Sequence, residues 1–284
     1  ENFLGPYPYP KFDIVFAEHQ FESNSLIFID DYEKINNIDK SLRIIFNQYF
    51  KHFLYPKSNQ NQNWMRAIEC YLFDYLPLFQ KNLISAKKYR KEILNYNSKS
   101  IIPEKLKKYS LDKNNQFQIQ TYLYLLFTLE NQFGVDFIIE KIKNFIQKFA
   151  KKPINDLDLF SFLTEDFNFD LDFFINERFE NEIDYPFFEI IESDKSVSII
   201  QPEKVFPMLI PIKYHFNDSS VKDITIFTKS FKTLIYDKSN SNINKIEIDP
   251  NYHCQRKLFS TELDSKINDL FQYNDIQIFI SPNL

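Results

Sequence analysis

The sequence predicts an α+β protein in which a mainly helical part precedes a small β-sandwich. From about residue 39 to residue 180, apolar residues recur at the i, i+3, i+4 spacing of amphipathic helices. Beyond Tyr185-Pro186 they fall instead into short alternating or β-branched runs separated by Asp, Ser and Asn. The length of 284 residues allows two packed cores, because single cores stop growing near ~250–300 residues.

In order along the chain, residues 11–29 hold two short β-prone runs, Phe12 with Ile14 to Phe16 and Leu26 to Ile29, which read as strands. Asp30, Asp31 and Asn36-Asn37 break the pattern. Leu42, Ile45, Phe46, Tyr49, Phe50 and Phe53 then mark an amphipathic helix over about 39–54, with Asp39 as its N-cap. A polar loop at 58–63 leads to helical stretches at 64–79, 118–133, 135–149 and 157–164, with Gly134 as a C-cap. Runs at 187–191, 197–200, 208–216, 224–228, 232–235 and 243–248 predict the strands of a β-sandwich of roughly 65 residues. Residues 255–284 are too short for a domain and are expected as a docked tail. The predicted division is 1–185, 186–254 and 255–284.

Composition excludes several function classes. No stretch approaches the ~18–20 uninterrupted apolar residues of a membrane helix, so no membrane span is predicted in this segment. A net charge of −5 with scattered lysines leaves no electrostatic footprint for a nucleic acid. Cys70 and Cys254 are the only cysteines and lack C-x-x-C spacing, so neither a disulfide framework nor a zinc knuckle is implied. The four histidines, His19, His52, His215 and His253, never stand at i, i+4 to each other, and no Gly-x-Ser-x-Gly elbow occurs. The opening at Glu1, without Met or a leader pattern, is read as that of an excised piece.

Three stretches carry a family resemblance. Gly5 to Val15 (Gly-Pro-Tyr-Pro-Tyr-Pro-Lys-Phe-Asp-Ile-Val) is followed by His19-Gln20-Phe21-Glu22-Ser23. Ile45-Phe46-Asn47-Gln48-Tyr49-Phe50 is followed by Leu54 and Pro56-Lys57. Ile246 to Asn251 reads Ile-Glu-Ile-Asp-Pro-Asn. Together they resemble the M1 (gluzincin) zinc aminopeptidases over roughly residues 1–255, in the order strand entry, metal-site helix and last strand of the third, β-sandwich domain. The resemblance implies a thermolysin-like fold for residues 1–185.

The same resemblance implies that the chemistry is gone. The family's His-Glu-x-x-His aligns with Arg43-Ile44-Ile45-Phe46-Asn47, so Arg43 and Asn47 stand for the zinc histidines and Ile44 for the general-base glutamate. An arginine brings a permanent cation to the place of a divalent metal, and neither Ile nor Asn supplies an imidazole or a carboxylate. Ala67 stands for the third ligand, a glutamate, when one residue is inserted in the preceding loop, and Arg66 does so without the insertion. Glu69 and Asp74 are nearby carboxylates, with Glu69 expected to be solvated or capping. The transition-state tyrosine aligns with Ile119, with Tyr122 and Tyr124 a slip away.

Only Glu22 is kept from the family's Gly-Ala-Met-Glu-Asn strand, where that glutamate binds a peptide's free amino group. The chain is accordingly identified as a catalytically degenerate M1-like protein, with no zinc or other cofactor expected. Its pattern of loss is similar to that of the aminopeptidase-like subunit of the general transcription factor TFIID. The expected function is an interaction or scaffold module for protein partners, with gripping of a peptide amino terminus by Glu22 as the alternative and an active metallo-aminopeptidase as the third reading.

Overall fold

The computed structural model describes residues 13–16, 21–23, 26–29, 54–56, 63–97, 113–150, 152–165, 185–237 and 242–263. Helices and predominantly antiparallel sheets make it α+β, and no described helix is long and apolar enough to cross a membrane.

The β-prone runs near the start form β1 (Asp13–Phe16), β2 (Phe21–Ser23) and β3 (Leu26–Ile29), in the order β1-β3-β2. β1 runs parallel to β3 and β2 antiparallel to it. Of the helix predicted over 39–54, residues 39–53 lie outside the described residues. Leu54 is not helical but opens β4 (Leu54–Pro56), which pairs in parallel with β5 (Lys152–Ile154). That partner lies about a hundred residues away, so no local periodicity announces the strand.

The helical part consists of α1 (Asn63–Glu69), a π-helical turn (Cys70–Tyr75), α2 (Leu76–Lys81), α3 (Leu83–Asn97), α4 (Lys113–Phe133), α5 (Val135–Phe149) and α6 (Asp156–Thr164). The π-helical turn has an identifiable cause. Pro77 lacks an N–H and its ring crowds the carbonyl four residues back, so the chain widens there and the Leu76 N–H reaches Tyr71 O instead.

Helix α3 was masked in the sequence because its buried stripe is Ala86, Tyr89, Arg90, Ile93 and Leu94. The spacing is helical, but one position is small and another charged. Gly134 joins α4 to α5 at φ 90°, and its N–H bonds Glu130 O at 2.7 Å. A Cβ there would meet nothing within 4 Å, so glycine is required by the backbone angle and not by space. Asn155 caps α6 through a reciprocal capping box with Asp158, which satisfies two N–H groups otherwise left orphaned.

These helices enclose one apolar cluster that includes Trp64, Ala67, Ile68, Ile119, Leu123, Phe127, Phe145 and Phe160. Trp64 meets Phe145 edge-on at 6.0 Å, and Tyr122 stacks on Phe160 at 4.9 Å. Burying each large side chain contributes about 1.5–3 kcal/mol, which sets this cluster as the main stabilising element of the helical part.

The later strands are β6 (Glu189–Glu192), β7 (Ser196–Ile200), β8 (Met208–Phe216), β9 (Val221–Thr228), β10 (Lys232–Asp237) and β11 (Ile243–Ile248). They form two antiparallel sheets, β10-β7-β6 and β11-β8-β9. Val197, Ile199 and Ile235 of the first share a cluster with Met208, Ile210, Ile212 and Tyr214 of the second. The Tyr214 hydroxyl donates to Ile235 O at 2.8 Å, from one sheet to the other.

After β11 the chain turns irregular, and its first fifteen residues pack on both clusters. Leu258 belongs to the helical cluster, whereas Cys254 and the half-buried Phe259 belong to the β cluster. Of the segment after residue 254, residues 255–263 are described, and Leu258 and Phe259 are their members of these clusters.

Candidate functional site

The described residues converge on a buried polar seam where α3 and α4 meet the turn after β11. Two contacts set the parallel course of α1 and α4. Near the start, Asn63 Nδ2 donates to Asn115 Oδ1 at 3.1 Å and Gln118 Oε1 at 2.7 Å. Eight residues on, the Tyr71 hydroxyl donates to Glu130 Oε2 at 2.6 Å. The π-helical turn brings Tyr75 to the same carboxylate, with its hydroxyl 2.5 Å from Oε1.

Arg90 of α3 completes the group. Its Nη1 donates to the Tyr75 hydroxyl and lies 3.4 Å from Glu130 Oε1, while its Nε donates to Asn251 O at 2.8 Å. The guanidinium also lies over the rings of Tyr75 and Phe127, 5.3 and 5.8 Å from their centroids. His253 Nε2 approaches Glu130 Oε1 to 3.9 Å, and its Nδ1 has no hydrogen-bond partner among the described residues.

Burial decides the protonation of this group. It raises the Glu130 carboxyl against the lowering effect of the two tyrosine hydroxyls and Arg90. It pushes both tyrosine hydroxyls well above their ordinary range, with the Glu130 charge adding to the rise at Tyr71. Burial, reinforced by the Arg90 cation, holds His253 well below the usual histidine range, so its imidazole is neutral.

A second buried pair stands next to the first. Arg256, fully buried, donates from Nε to Asp249 Oδ2 at 3.0 Å and grips Glu262 with both terminal nitrogens at 2.7 and 2.8 Å. Asp249 Oδ1 accepts from the backbone N–H groups of His253 at 2.7 Å and Cys254 at 3.3 Å. Burial pushes the Asp249 carboxyl up to about 6 in spite of Arg256 and these donors, so it remains ionised at neutral pH. Asp249 and Tyr252 both adopt positive φ, 47° and 58°, and the Tyr252 N–H closes the turn onto Asp249 O at 3.1 Å.

The two groups are stitched together by two backbone acceptors and one side-chain hydroxyl. Tyr124 OH donates to Arg90 O at 2.7 Å, Thr128 Oγ1 to His253 O at 3.0 Å, and Gln255 Nε2 to Thr121 Oγ1 at 3.1 Å. Chemically the seam is a lock: its charges are paired inside the protein and their contacts tie helix to turn.

The positions singled out by sequence fall as follows. Arg43, Ile44 and Asn47 lie outside the described residues, as do His19 and His52. Ala67 lies on α1 midway between the Asn63 and Tyr71 contacts, and Ile119 lies on α4 beside Gln118; both are 0% exposed in the helical cluster. Glu22 is the central residue of β2 and pairs with Ile27 of β3. Arg66 and Glu69 form an ion pair at 3.1 Å on α1. Glu69 is therefore not the solvated carboxylate expected from its position: it is only 2% exposed, because α1 is buried on nearly every face. Tyr122 and Tyr124 are buried core residues, and Cys70 and Cys254 are buried as well. No group of three His, Cys, Asp or Glu side chains able to hold a metal occurs among the described residues.

The residues that sequence reasoning missed are Arg90, Glu130, Asp249, Arg256 and Glu262. The available signal was a charge standing on an apolar stripe, as Glu130 does three residues after Phe127 and Arg90 does four residues after Ala86. No protein-family model matches the chain, and a search of curated proteins finds no match either.

Proposed function

We propose that the chain is a non-catalytic M1 aminopeptidase-like protein that serves as an interaction or scaffold module for protein partners. The observation that carries this reading is the state of Ala67 and Ile119. On the family register they stand for a zinc-ligand glutamate and the transition-state tyrosine, and both are apolar and fully buried in the core. A metal-and-substrate basin is costly to keep open, and once hydrolysis is lost, apolar filling of that space stabilises the fold.

The finer fold reading belongs to the same proposal. Residues 1–185 are a thermolysin-like domain, and residues 186–254 are a β-sandwich, a reading supported by the cluster that the two three-stranded sheets share.

Elemental analysis of the purified chain, combined with a fluorogenic aminopeptidase assay in added Zn²⁺, tests the reading. The expected result is no stoichiometric zinc and no turnover. One tightly held zinc per chain, or turnover that a chelator abolishes, would overturn it. Binding of a free-amino peptide that disappears on N-acetylation and on Glu22→Gln would move the reading to peptide capture.

A further inference from the structure

Residues 249–263 form a strap that is braced from within. Arg256 is held by Asp249 at 3.0 Å and by Glu262 at 2.7 and 2.8 Å, and all three residues belong to the strap itself. Glu262 Oε2 also accepts from the Phe259 N–H at 2.8 Å, and Asp249 Oδ1 from the N–H groups of His253 and Cys254. These three charges therefore close on one another and not on the helices.

The ties from the strap to the helices are of a different kind. Arg90 Nε donates to Asn251 O, Thr128 Oγ1 to His253 O and Gln255 Nε2 to Thr121 Oγ1, while Lys87 Nζ lies 5.5 Å from the centre of the Tyr252 ring. Each of these hydrogen bonds is exchanged for one to water when the contact opens, so each holds the strap only modestly.

His253 stands at that contact with 5% of its surface exposed. The titratable groups that face it are Arg90 from α3, Glu130 from α4, the Tyr71 and Tyr75 hydroxyls of the π-helical turn through Glu130, and Asp249 of its own turn through the His253 N–H. The Glu130 carboxylate is already engaged: it accepts from Tyr71 at 2.6 Å and Tyr75 at 2.5 Å and lies 3.4 Å from Arg90 Nη1, with His253 Nε2 at 3.9 Å. A second proton on the imidazole would thus put a buried cation beside the Arg90 guanidinium. Once the strap lifts, water reaches the ring and solvates that charge, so protonation and lifting favour each other.

We propose that His253 is the pH-sensitive pin of a clasp: at mildly acid pH the imidazole takes up a proton and residues 249–263 disengage from α3 and α4 as a braced unit. The Asp249–Arg256–Glu262 bracing leaves with the strap intact, and Cys254 and Phe259 stay with the β cluster to which they belong. The device changes how the helices engage the strap without unfolding either cluster.

The test reads the opening from a cysteine placed under the strap. Thr121→Cys, on α4 at the Gln255 contact, is labelled in the full chain with a pyridyl disulfide at pH 7.5 and pH 5.5, and each rate is divided by that of the urea-unfolded chain at the same pH. The ratio is expected to rise about tenfold, because a hydrated histidine with an ordinary value of about 6.5 goes from about one-tenth to about nine-tenths protonated over this interval. Cys70, buried among the helices beside Tyr89, is the internal reference and is expected to stay unlabelled at both values. His253→Gln in the same chain is expected to flatten the rise. An unchanging ratio would overturn the proposal, and so would an equal rise with His253→Gln, which would assign the effect to Asp249 or Glu130. Joint labelling of Cys70 would overturn it as well, since the whole fold would then be opening. Gln255→Cys, on the strap side of the same contact, is a second reporter with the same expected and overturning results should Thr121→Cys fail to fold.

Discussion

Arg90 on α3 and Glu130 on α4 lie 3.4 Å apart with 4% of each side chain exposed. Two tyrosine hydroxyls, a backbone carbonyl and a neutral histidine surround them. Such a pair recovers its desolvation cost only with this many partners, so it is far more sensitive to losing one member than to being replaced whole.

Removing the cation alone is the sharpest probe. Arg90→Met is expected to destabilise the protein by about 3–5 kcal/mol, since Glu130 is left as an uncompensated buried charge, whereas Glu130→Gln combined with Arg90→Met costs less than the sum of the two changes. Urea unfolding of the two single variants and the double variant measures the difference, and additive losses would show that the pair is not coupled.

Acid should weaken the fold through His253. Its folded pKa is depressed and its unfolded pKa is the ordinary one, so the unfolded chain binds the extra proton as pH falls below about 6.5. The contribution of this site is fully present above that value and falls by up to about 1.4 kcal/mol per pH unit below it. Glu130 and Asp249, whose folded values are raised, act in the opposite sense: they take up protons first in the folded state and gain stability on acidification. The His253 effect is isolated by comparing the chain with His253→Gln, whose unfolding free energy is expected to lose less between pH 6.5 and pH 5.

A carboxylate at position 67 should not be tolerated. Ala67 is 0% exposed between α1 and α4, so Ala67→Glu places a longer side chain and an unpaired charge in the core. A loss of about 3 kcal/mol or more is expected by thermal or urea unfolding. Unchanged stability would mean that the space around Ala67 is open to water.

The Asp249–Arg256 pair can be separated from the strain of its turn. Asn accepts positive φ as readily as Asp, so Asp249→Asn keeps the backbone conformation and removes one of the two carboxylate charges that face Arg256. Faster proteolysis after β11 is expected, because Arg256, which anchors residues 255–263, loses one of its two carboxylate partners. Limited digestion followed by mass spectrometry reads the effect.

Both thiols should be silent in the native protein. Cys70 and Cys254 are at most 3% exposed, so a thiol reagent is expected to react with neither until denaturant is added. Reaction of either one under native conditions would show that its surroundings open.

The change of hydrophobic period near Tyr185-Pro186 was enough to predict the order of helices and strands, and the runs at 135–149, 208–216 and 243–248 match α5, β8 and β11 at both ends. Such elements are legible because an amphipathic face repeats within a few residues of itself. That Ala67 and Ile119 offer no metal-binding side-chain atom was legible from residue type alone. The polar seam was a decision of the tertiary structure. Arg90 meets Glu130 forty residues away and Asn251 at a separation of 161, and a charge on a helix face is solvated or buried according to what packs against it. β4 and the buried stripe of α3 were hidden for the same reason: their partners, not their neighbours, determine them.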